Sequence, residues 1–403
     1  MKFIMYGAGN IGRGFIGALF SQLGYEVVFI DVDEVLIREL NERHEYWQEI
    51  VDSAGSRMNR IRNVRGVNGR NMDLIAKEME DADLMATAVG AAMLPRIAGS
   101  IAYGLQARWK KNSRVFNILI CENLMDADSF LAGEIKKHMA GDAVKIFEQN
   151  TGLVETCIGR MVPLVPDEKR QSDPLYVAAE PYDILPVDKA GFLGEPPACK
   201  KIIAYEPFDF YVQRKLYLHN MAHAISAYLG MRENLRYVSD AVKVSSIRLI
   251  ITGAMQEAVR MLAKKYNVKY DELCLHMNDL LYRFQNPGLK DTLLRVGRDP
   301  LRKLQPEDRL IGAAVSCLQM EVEPVYISIG IAGAVSAFLR EADKECTEEN
   351  CRAVLEKVCH ITPECRIFIY TAKFFAMFAR KDSYERMIET VDAFYKKTTG
   401  DII

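Results

Sequence analysis

The sequence contains no run of about 18 apolar residues, so no membrane-spanning helix is expected. Net charge is nearly absent as well: 52 Lys and Arg against 54 Asp and Glu leave −2, too little to draw the chain to nucleic acid or to an anionic membrane. Neither is expected as a partner. An HExxH motif and a C-x2-C pair are both missing, and with them two common signatures of a zinc site. Cysteine occurs nine times, but an odd number in a long chain without a signal peptide reads as reduced thiols and a cytoplasmic location. The densest group, Cys346, Cys351, Cys359 and Cys365 with His360, lies in a segment of helical pattern, and no metal is expected there. Internal repeats and low-complexity tracts are absent too. What remains, 49% hydrophobic and 26% charged residues, is the composition of a globular protein, and 403 residues is long for a single core. Two domains are expected.

The first 31 residues have the order of a βαβ dinucleotide-binding opening. Lys2 to Tyr6 is a short strand-like run, Gly7-Ala8-Gly9-Asn10-Ile11-Gly12 is G-x-G-x-x-G, and residues 11–23 are helical in pattern. In such a turn Gly7 allows the tight bend, Gly9 lets the backbone approach a pyrophosphate, and Gly12 lets helix and strand pack closely; Asn10 and Ile11 complete the loop. A second strand, Glu26 to Ile30, leads to Asp31, about 20 residues beyond the last glycine, where an acid accepts hydrogen bonds from the adenine ribose. The same carboxylate repels a 2′-phosphate, so NAD is the expected cofactor.

Later strands fit the same sheet. Asp83 to Val89 ends in Gly90, and Phe116 to Cys121 ends in Glu122-Asn123. Ligands in open α/β sheets bind beyond the carboxyl ends of strands, which makes Thr87, Ala88, Val89 and Gly90 candidates to line the cofactor. Asn123 is either a group that reaches toward the reacting carbon or a helix cap. Proline and glycine cluster around 191–197, which marks a domain crossing. The reading is an α/β Rossmann-type NAD-binding domain over 1–195 and a mostly α-helical substrate domain over 196–403, with helices at 208–229, 233–265, 270–284, 308–319, 325–341 and in pieces over 348–397.

Within the first of those helices, Lys215, Asn220 and His223 form K-x4-N-x2-H. At about 100° per residue Lys215, His223 and Asn220 fall at roughly 0°, 80° and 140° around the axis, so all three can face one pocket. A buried lysine is neutralised more easily than a free one and can take a proton from an alcohol; an asparagine amide can donate to the developing alkoxide; an imidazole can orient the amine. A solvated polar face is the other reading. Downstream, residues 283–309 concentrate Arg295, Arg298, Arg302 and Lys303 among glycine and proline breaks. Guanidinium groups there suit an anionic substrate, while Asp291, Asp299, Glu307 and Asp308 also allow a self-neutralised loop.

GAGNIGRGFIG (7–17), TAVG (87–90), CEN (121–123), the Arg160–Pro163 stretch, KLYLHNMAHAISAYLG (215–230), FQNPGLKD (284–291) and RVGRDPLRKLQPEDRLI (295–311) recur in the order found in the polyol-specific long-chain dehydrogenases, and the chain resembles that family over about its first 310 residues. The resemblance implies an NAD-dependent, metal-independent interconversion of D-mannitol 1-phosphate and fructose 6-phosphate, a small sugar phosphate. It assigns Lys215 as general base, Asn220 and Asn123 as holders of the substrate oxygen and His223 as a supporting hydrogen bonder, and it points Arg295, Arg298, Arg302 and Lys303 toward substrate phosphate. Three positions depart from the pattern: Val212 replaces a proton-shuttling glutamate, Leu185 stands where a tryptophan pocket wall is expected, and His219 lies close enough on the helix to compete as base. A related dehydrogenase of sugar acids such as mannonate or altronate, and a non-catalytic NAD(H) sensor, are the alternatives. Oligomeric state is not readable.

Overall fold

A computed structural model describes residues 1–399 and divides the chain into two units, one from Met1 to Asp209 and one from Phe210 onward. In chain order the strands are β1 (Lys2–Tyr6), β2 (Glu26–Asp31), β3 (Glu45–Asp52), β4 (Gly55–Arg62), β5 (Val64–Asn68), β6 (Leu84–Thr87), β7 (Phe116–Ile120), β8 (Thr151–Glu155), β9 (Val177–Ala179), β10 (Leu185–Asp188) and β11 (Ile202–Tyr205). All lie in the first unit. Six of them form a parallel sheet in the order β5-β2-β1-β6-β7-β8.

Strand alternation explains why β1 and β2 read as continuous apolar runs. Phe3, Met5, Val27 and Phe29 belong to one hydrophobic cluster, and Ile4, Tyr6, Val28 and Ile30 to another, so both faces of the sheet are covered. On the first face Phe3 and Phe20 stack with ring centroids 3.8 Å apart. The reversal of strand order falls between β1 and β6, where the carboxyl ends carry the Gly7 and Thr87–Gly90 turns. A three-stranded sheet, β4-β3-β9, and the pair β10-β11 complete the unit. Because β11 pairs with β10, the first unit extends past the proline-rich stretch at 191–197. Leu185, which stands where a tryptophan pocket wall is expected, lies fully buried in the core of this unit.

The second unit is helical among its described residues. Its longest apolar helix, Val325–Glu341, packs against Met221–Arg232, Ser245–Tyr266 and Arg366–Ala379, and it is buried on most of its circumference, as a central helix must be. The helix expected over 233–265 is two, Val238–Lys243 and Ser245–Tyr266, broken where Val244 takes an extended backbone conformation. The cysteine-rich segment is helix and turn: Cys351 and Cys359 are buried, and burial pushes both thiols up to about 12. Such thiols pack as small apolar groups. No helix among the described residues is long and apolar enough to cross a membrane.

Candidate active site

The glycine turn of the first unit is built as its spacing requires. Gly7 has φ +103°, and a methyl group there would sit 2.5 Å from the Ala88 carbonyl oxygen; one on Gly12 would sit 1.9 Å from the Gly7 carbonyl oxygen. A methyl on Gly9 would meet no protein atom within 4 Å. The first two positions are closed by the protein's own backbone, while the third leaves open space of the kind a pyrophosphate needs, so the turn fits a dinucleotide. Asp31, at the end of β2, accepts from Ala8 N at 2.7 Å and from Asp33 N at 3.0 Å, which holds its carboxylate beside the turn. Asn10 and Ile11 are half-buried at the start of the following helix.

That helix does not begin as an α-helix. Gly12–Ile16 is a π-turn, in which the Gly17 N–H reaches back to the Gly12 carbonyl. The Arg13 and Gly14 carbonyls are taken up by side chains instead: Tyr46 Oη donates to Arg13 O at 2.7 Å, and Gln48 Nε2 and Arg160 Nη1 donate to Gly14 O at 2.6 and 3.2 Å. Arg160, from the stretch 160–163, also donates to Glu180 O at 2.8 Å. It thereby ties the π-turn to the segment that carries Glu180.

At the ends of β6 and β7 the structure adds a residue that sequence reasoning passed over. Glu122 is buried, accepts from Thr87 Oγ1 at 2.6 Å and from Val89 N at 2.9 Å, and so ties the Thr87–Gly90 turn to the segment carrying Asn123. Burial pushes its carboxyl up, opposed by those hydrogen bonds. The signal was present, since Glu122 stands inside CEN, but a glutamate after a strand names no partner. Removing the carboxylate strands two buried donors at about 1–3 kcal/mol each. Glu122→Ala is expected to lower stability by roughly 2–4 kcal/mol in chemical denaturation, and Glu122→Gln, which keeps one acceptor oxygen, by less than half of that. Equal stability of all three proteins would remove Glu122 from this role.

In the second unit the lysine helix departs from the geometry assumed for it. Lys215–Asn220 is a second π-turn, flanked by Asp209–Arg214 and Met221–Arg232, and the Met221 N–H reaches back to the Leu216 carbonyl. The α-helical angles of 0°, 80° and 140° therefore do not apply. With i to i+5 bonding, residues five apart come into line, which brings Lys215 and Asn220 toward the same side. Both are half-buried. His223 follows on the regular helix, its ring stacked on Phe284 at 5.1 Å with an interplanar angle of 12°.

His223 Nε2 lies 2.9 Å from Asp291 Oδ2, an ion-pair separation, although the ring is not turned into hydrogen-bond alignment. Asp291 Oδ1 accepts from Arg295 Nε at 3.0 Å and from Arg295 Nη2. Burial would push the Asp291 carboxyl up, but His223 and Arg295 outweigh it and hold the group below the usual carboxylate range. This shared acid was missed because its sequence position offered only a charge within a mixed loop.

His219 has a different environment. It is fully enclosed, its ring edge-on to Phe284 at 5.5 Å, and burial, with Arg283, His223 and Lys215 nearby, holds its pKa well below the ordinary imidazole value. An imidazole that cannot retain a proton near neutrality is a poor general base.

The basic segment is broken into short helices, as its glycines and prolines indicated: Leu293–Gly297 and Pro300–Lys303. Its four candidates separate. Arg295 is half-exposed and bound along one edge by Asp291. Arg298 is exposed, with no ion pair among the described residues. Arg302 pairs with Asp299 at 3.0 Å and Asp308 at 3.4 Å. Lys303 is buried, its ammonium donates to the Arg298 carbonyl, and burial brings its pKa down to about 8. Of the four, Arg298 has no carboxylate partner among the described residues and Arg295 is engaged along one edge of its guanidinium.

The chain has a Rossmann-type unit and a helical unit with a lysine, an asparagine and a histidine in one helical stretch, and comparison with known proteins gives its class, a polyol-dehydrogenase oxidoreductase. Residues 1–201 match the model of the mannitol dehydrogenase Rossmann domain, and 208–399 that of the mannitol dehydrogenase C-terminal domain. The chain belongs to the mannitol dehydrogenase family. It is 34% identical over 367 residues to a mannitol-1-phosphate 5-dehydrogenase of Brevibacillus brevis, covering 88% of this chain and 94% of that one. It is 36% identical over 375 residues to the protein of the same name from Bacillus licheniformis, covering 90% and 96%. Among solved structures, a substrate-free D-sorbitol dehydrogenase aligns with a TM-score of 0.76 at 15% identity, covering 94% of this chain and 93% of the other. Pseudomonas fluorescens mannitol 2-dehydrogenase, in a ternary complex with NAD and D-mannitol, aligns at 0.68 and 12%, covering 97% and 94%. At these identities the structural matches speak for the fold.

Proposed function

We propose that this protein interconverts D-mannitol 1-phosphate and D-fructose 6-phosphate with NAD, by a metal-independent mechanism in which Lys215 is the general base. The observation that supports the reading is the chain of contacts from His223 through Asp291 to Arg295, which links a half-exposed guanidinium to the helical stretch that carries Lys215. The curated relatives named for this reaction support it. NAD supplies the hydride acceptor when bound. Lys215 takes the proton of the substrate hydroxyl, Asn220 and Asn123 donate to its oxygen, and His223 supports the amine. In the reverse direction the Lys215 ammonium returns the proton to the ketone oxygen. The weakly basic, enclosed His219 leaves the base role to the lysine. Arg295 and Arg298 lead the set Arg295, Arg298, Arg302 and Lys303 in holding the phosphate, and the thiol chemistry of the sequence fits a cytoplasmic enzyme.

The test is a substrate panel followed by NADH absorbance. Fructose 6-phosphate should be reduced, and fructuronate and tagaturonate should be used far less; efficient reduction of either sugar acid would replace this reading with the sugar-acid one. Absence of turnover on all three would favour an NAD(H) sensor.

Cofactor choice carries a second expectation. Asp31 is followed by Val32 and by Asp33, which caps the next helix, with no arginine among these neighbours to receive a 2′-phosphate. NAD should be preferred over NADP, and because hydrogen bonds to a charged acceptor contribute about 1.5–3 kcal/mol, Asp31→Ala should lower kcat/KM with NAD by roughly ten- to a hundredfold and narrow the gap. Equal efficiency with both cofactors in the parent protein would contradict this.

A further inference from the structure

We propose that Asp291 is a positioning residue that holds Arg295 for the substrate phosphate and His223 for the reacting end, so that one carboxylate links recognition to chemistry. This inference rests on the sugar-phosphate reading above and asks how its two halves communicate.

The geometry is that of a shared acceptor. Each carboxylate oxygen has its own cationic or potentially cationic neighbour, Arg295 on Oδ1 and His223 on Oδ2. The acid is itself held in place: its side chain is only 9% exposed, and its backbone carbonyl accepts from Val238 N at 2.9 Å. Arg295 meets it through Nε and Nη2, one edge of the planar guanidinium, which orients the remaining edge for a second anion. The His223 ring stacks on Phe284 with Nε2 beside Oδ2, so a small turn of the ring changes its contact with the carboxylate. A phosphate dianion on Arg295 draws guanidinium charge away from Oδ1 and leaves more of the carboxylate's charge for His223. A ligand at the phosphate end is thereby felt on the lysine helix, whereas free fructose has no means of making that change.

The experiment measures kcat and KM for fructose 6-phosphate and for fructose, with NADH, in the wild type, Arg295→Ala, Asp291→Asn and the double variant, with thermal midpoints as a check on folding. Loss of one charge-assisted phosphate contact should cut the preference for the phosphorylated sugar about tenfold or more in Arg295→Ala. Asp291→Asn should cut it similarly, because Arg295 loses its orientation. It should also lower kcat on free fructose by about fivefold or more beyond Arg295→Ala, the part that runs through His223. In the double variant the preference should fall no further than in Arg295→Ala alone, since both changes remove the same contact.

A multiplicative loss of preference in the double variant, or an Asp291→Asn protein with the fructose kcat of Arg295→Ala, would overturn the inference and leave the sugar-phosphate reading standing. A wild type that shows no preference for the phosphorylated sugar would overturn both. Should Asp291→Asn fail to fold, Arg295→Ala combined with His223→Asn carries the same test. Non-multiplicative effects on kcat with fructose 6-phosphate are expected, and multiplicative effects would overturn the link.

Discussion

Lys215→Ala is expected to lower the rate of alcohol oxidation by at least ~10²-fold, the low end for loss of a general base, while NAD affinity stays nearly unchanged. The two parts of the expectation have separate physical origins. The glycine turn, Asp31 and the Glu122-anchored loop belong to the first unit, and Lys215 belongs to the second. The chemical step depends on a group that accepts the hydroxyl proton as hydride leaves, and the other candidate on this helix, His219, is enclosed and held well below its ordinary pKa. Steady-state kinetics with mannitol 1-phosphate, together with NAD titration by fluorescence, would check both parts. Near-wild-type turnover in the variant would take Lys215 out of the mechanism and return His219 to consideration.

The second large effect concerns the phosphate. A charge-assisted, partly desolvated phosphate contact contributes roughly 1.5–3 kcal/mol, or about ten- to a hundredfold in kcat/KM. Alanine at Arg295 or Arg298 should lower kcat/KM for fructose 6-phosphate within that range and should affect fructose much less. Arg302→Ala should do less, because Asp299 and Asp308 already engage its guanidinium. Lys303→Ala should act mainly on stability, because its ammonium faces the Arg298 carbonyl. If the order is reversed, with Lys303 and Arg302 carrying the discrimination, the assignment of the exposed arginines is wrong.

How much of this was legible in the sequence depended on how local each feature is. β1, the glycine turn and β2 could be read because strand, turn, helix and acid follow one another within about thirty residues. The β3–β4 hairpin and β5 were not read. Their outward positions carry Glu45, Arg60 and Arg62, with Glu45 opposite Arg62 and ion-paired with Arg60 across the hairpin, so the alternation is masked by charge unless the partner strand is known. Both π-turns escaped for a similar reason. At Gly12–Ile16 the displaced carbonyls are satisfied by Tyr46, Gln48 and Arg160, which are remote in sequence. No periodicity in the helix itself announces them. The K-x4-N-x2-H spacing was visible, but that its first six residues form a π-turn, which brings Lys215 and Asn220 closer around the axis than α-helical angles do, was not. The basic segment was recognisable by composition, whereas the division into engaged and available cations required the fold, because composition does not say that Asp291 takes Arg295 while Asp299 and Asp308 take Arg302.

The most direct test of the central claim is the ratio of kcat/KM for fructose 6-phosphate to that for fructose in the unmodified protein, measured with NADH at one pH and ionic strength. With two or more phosphate contacts acting together the ratio should exceed about a hundredfold. Equal use of the two sugars would contradict the account: the basic segment would then be a solvated, self-neutralised loop, and the chain would not be selecting a sugar phosphate.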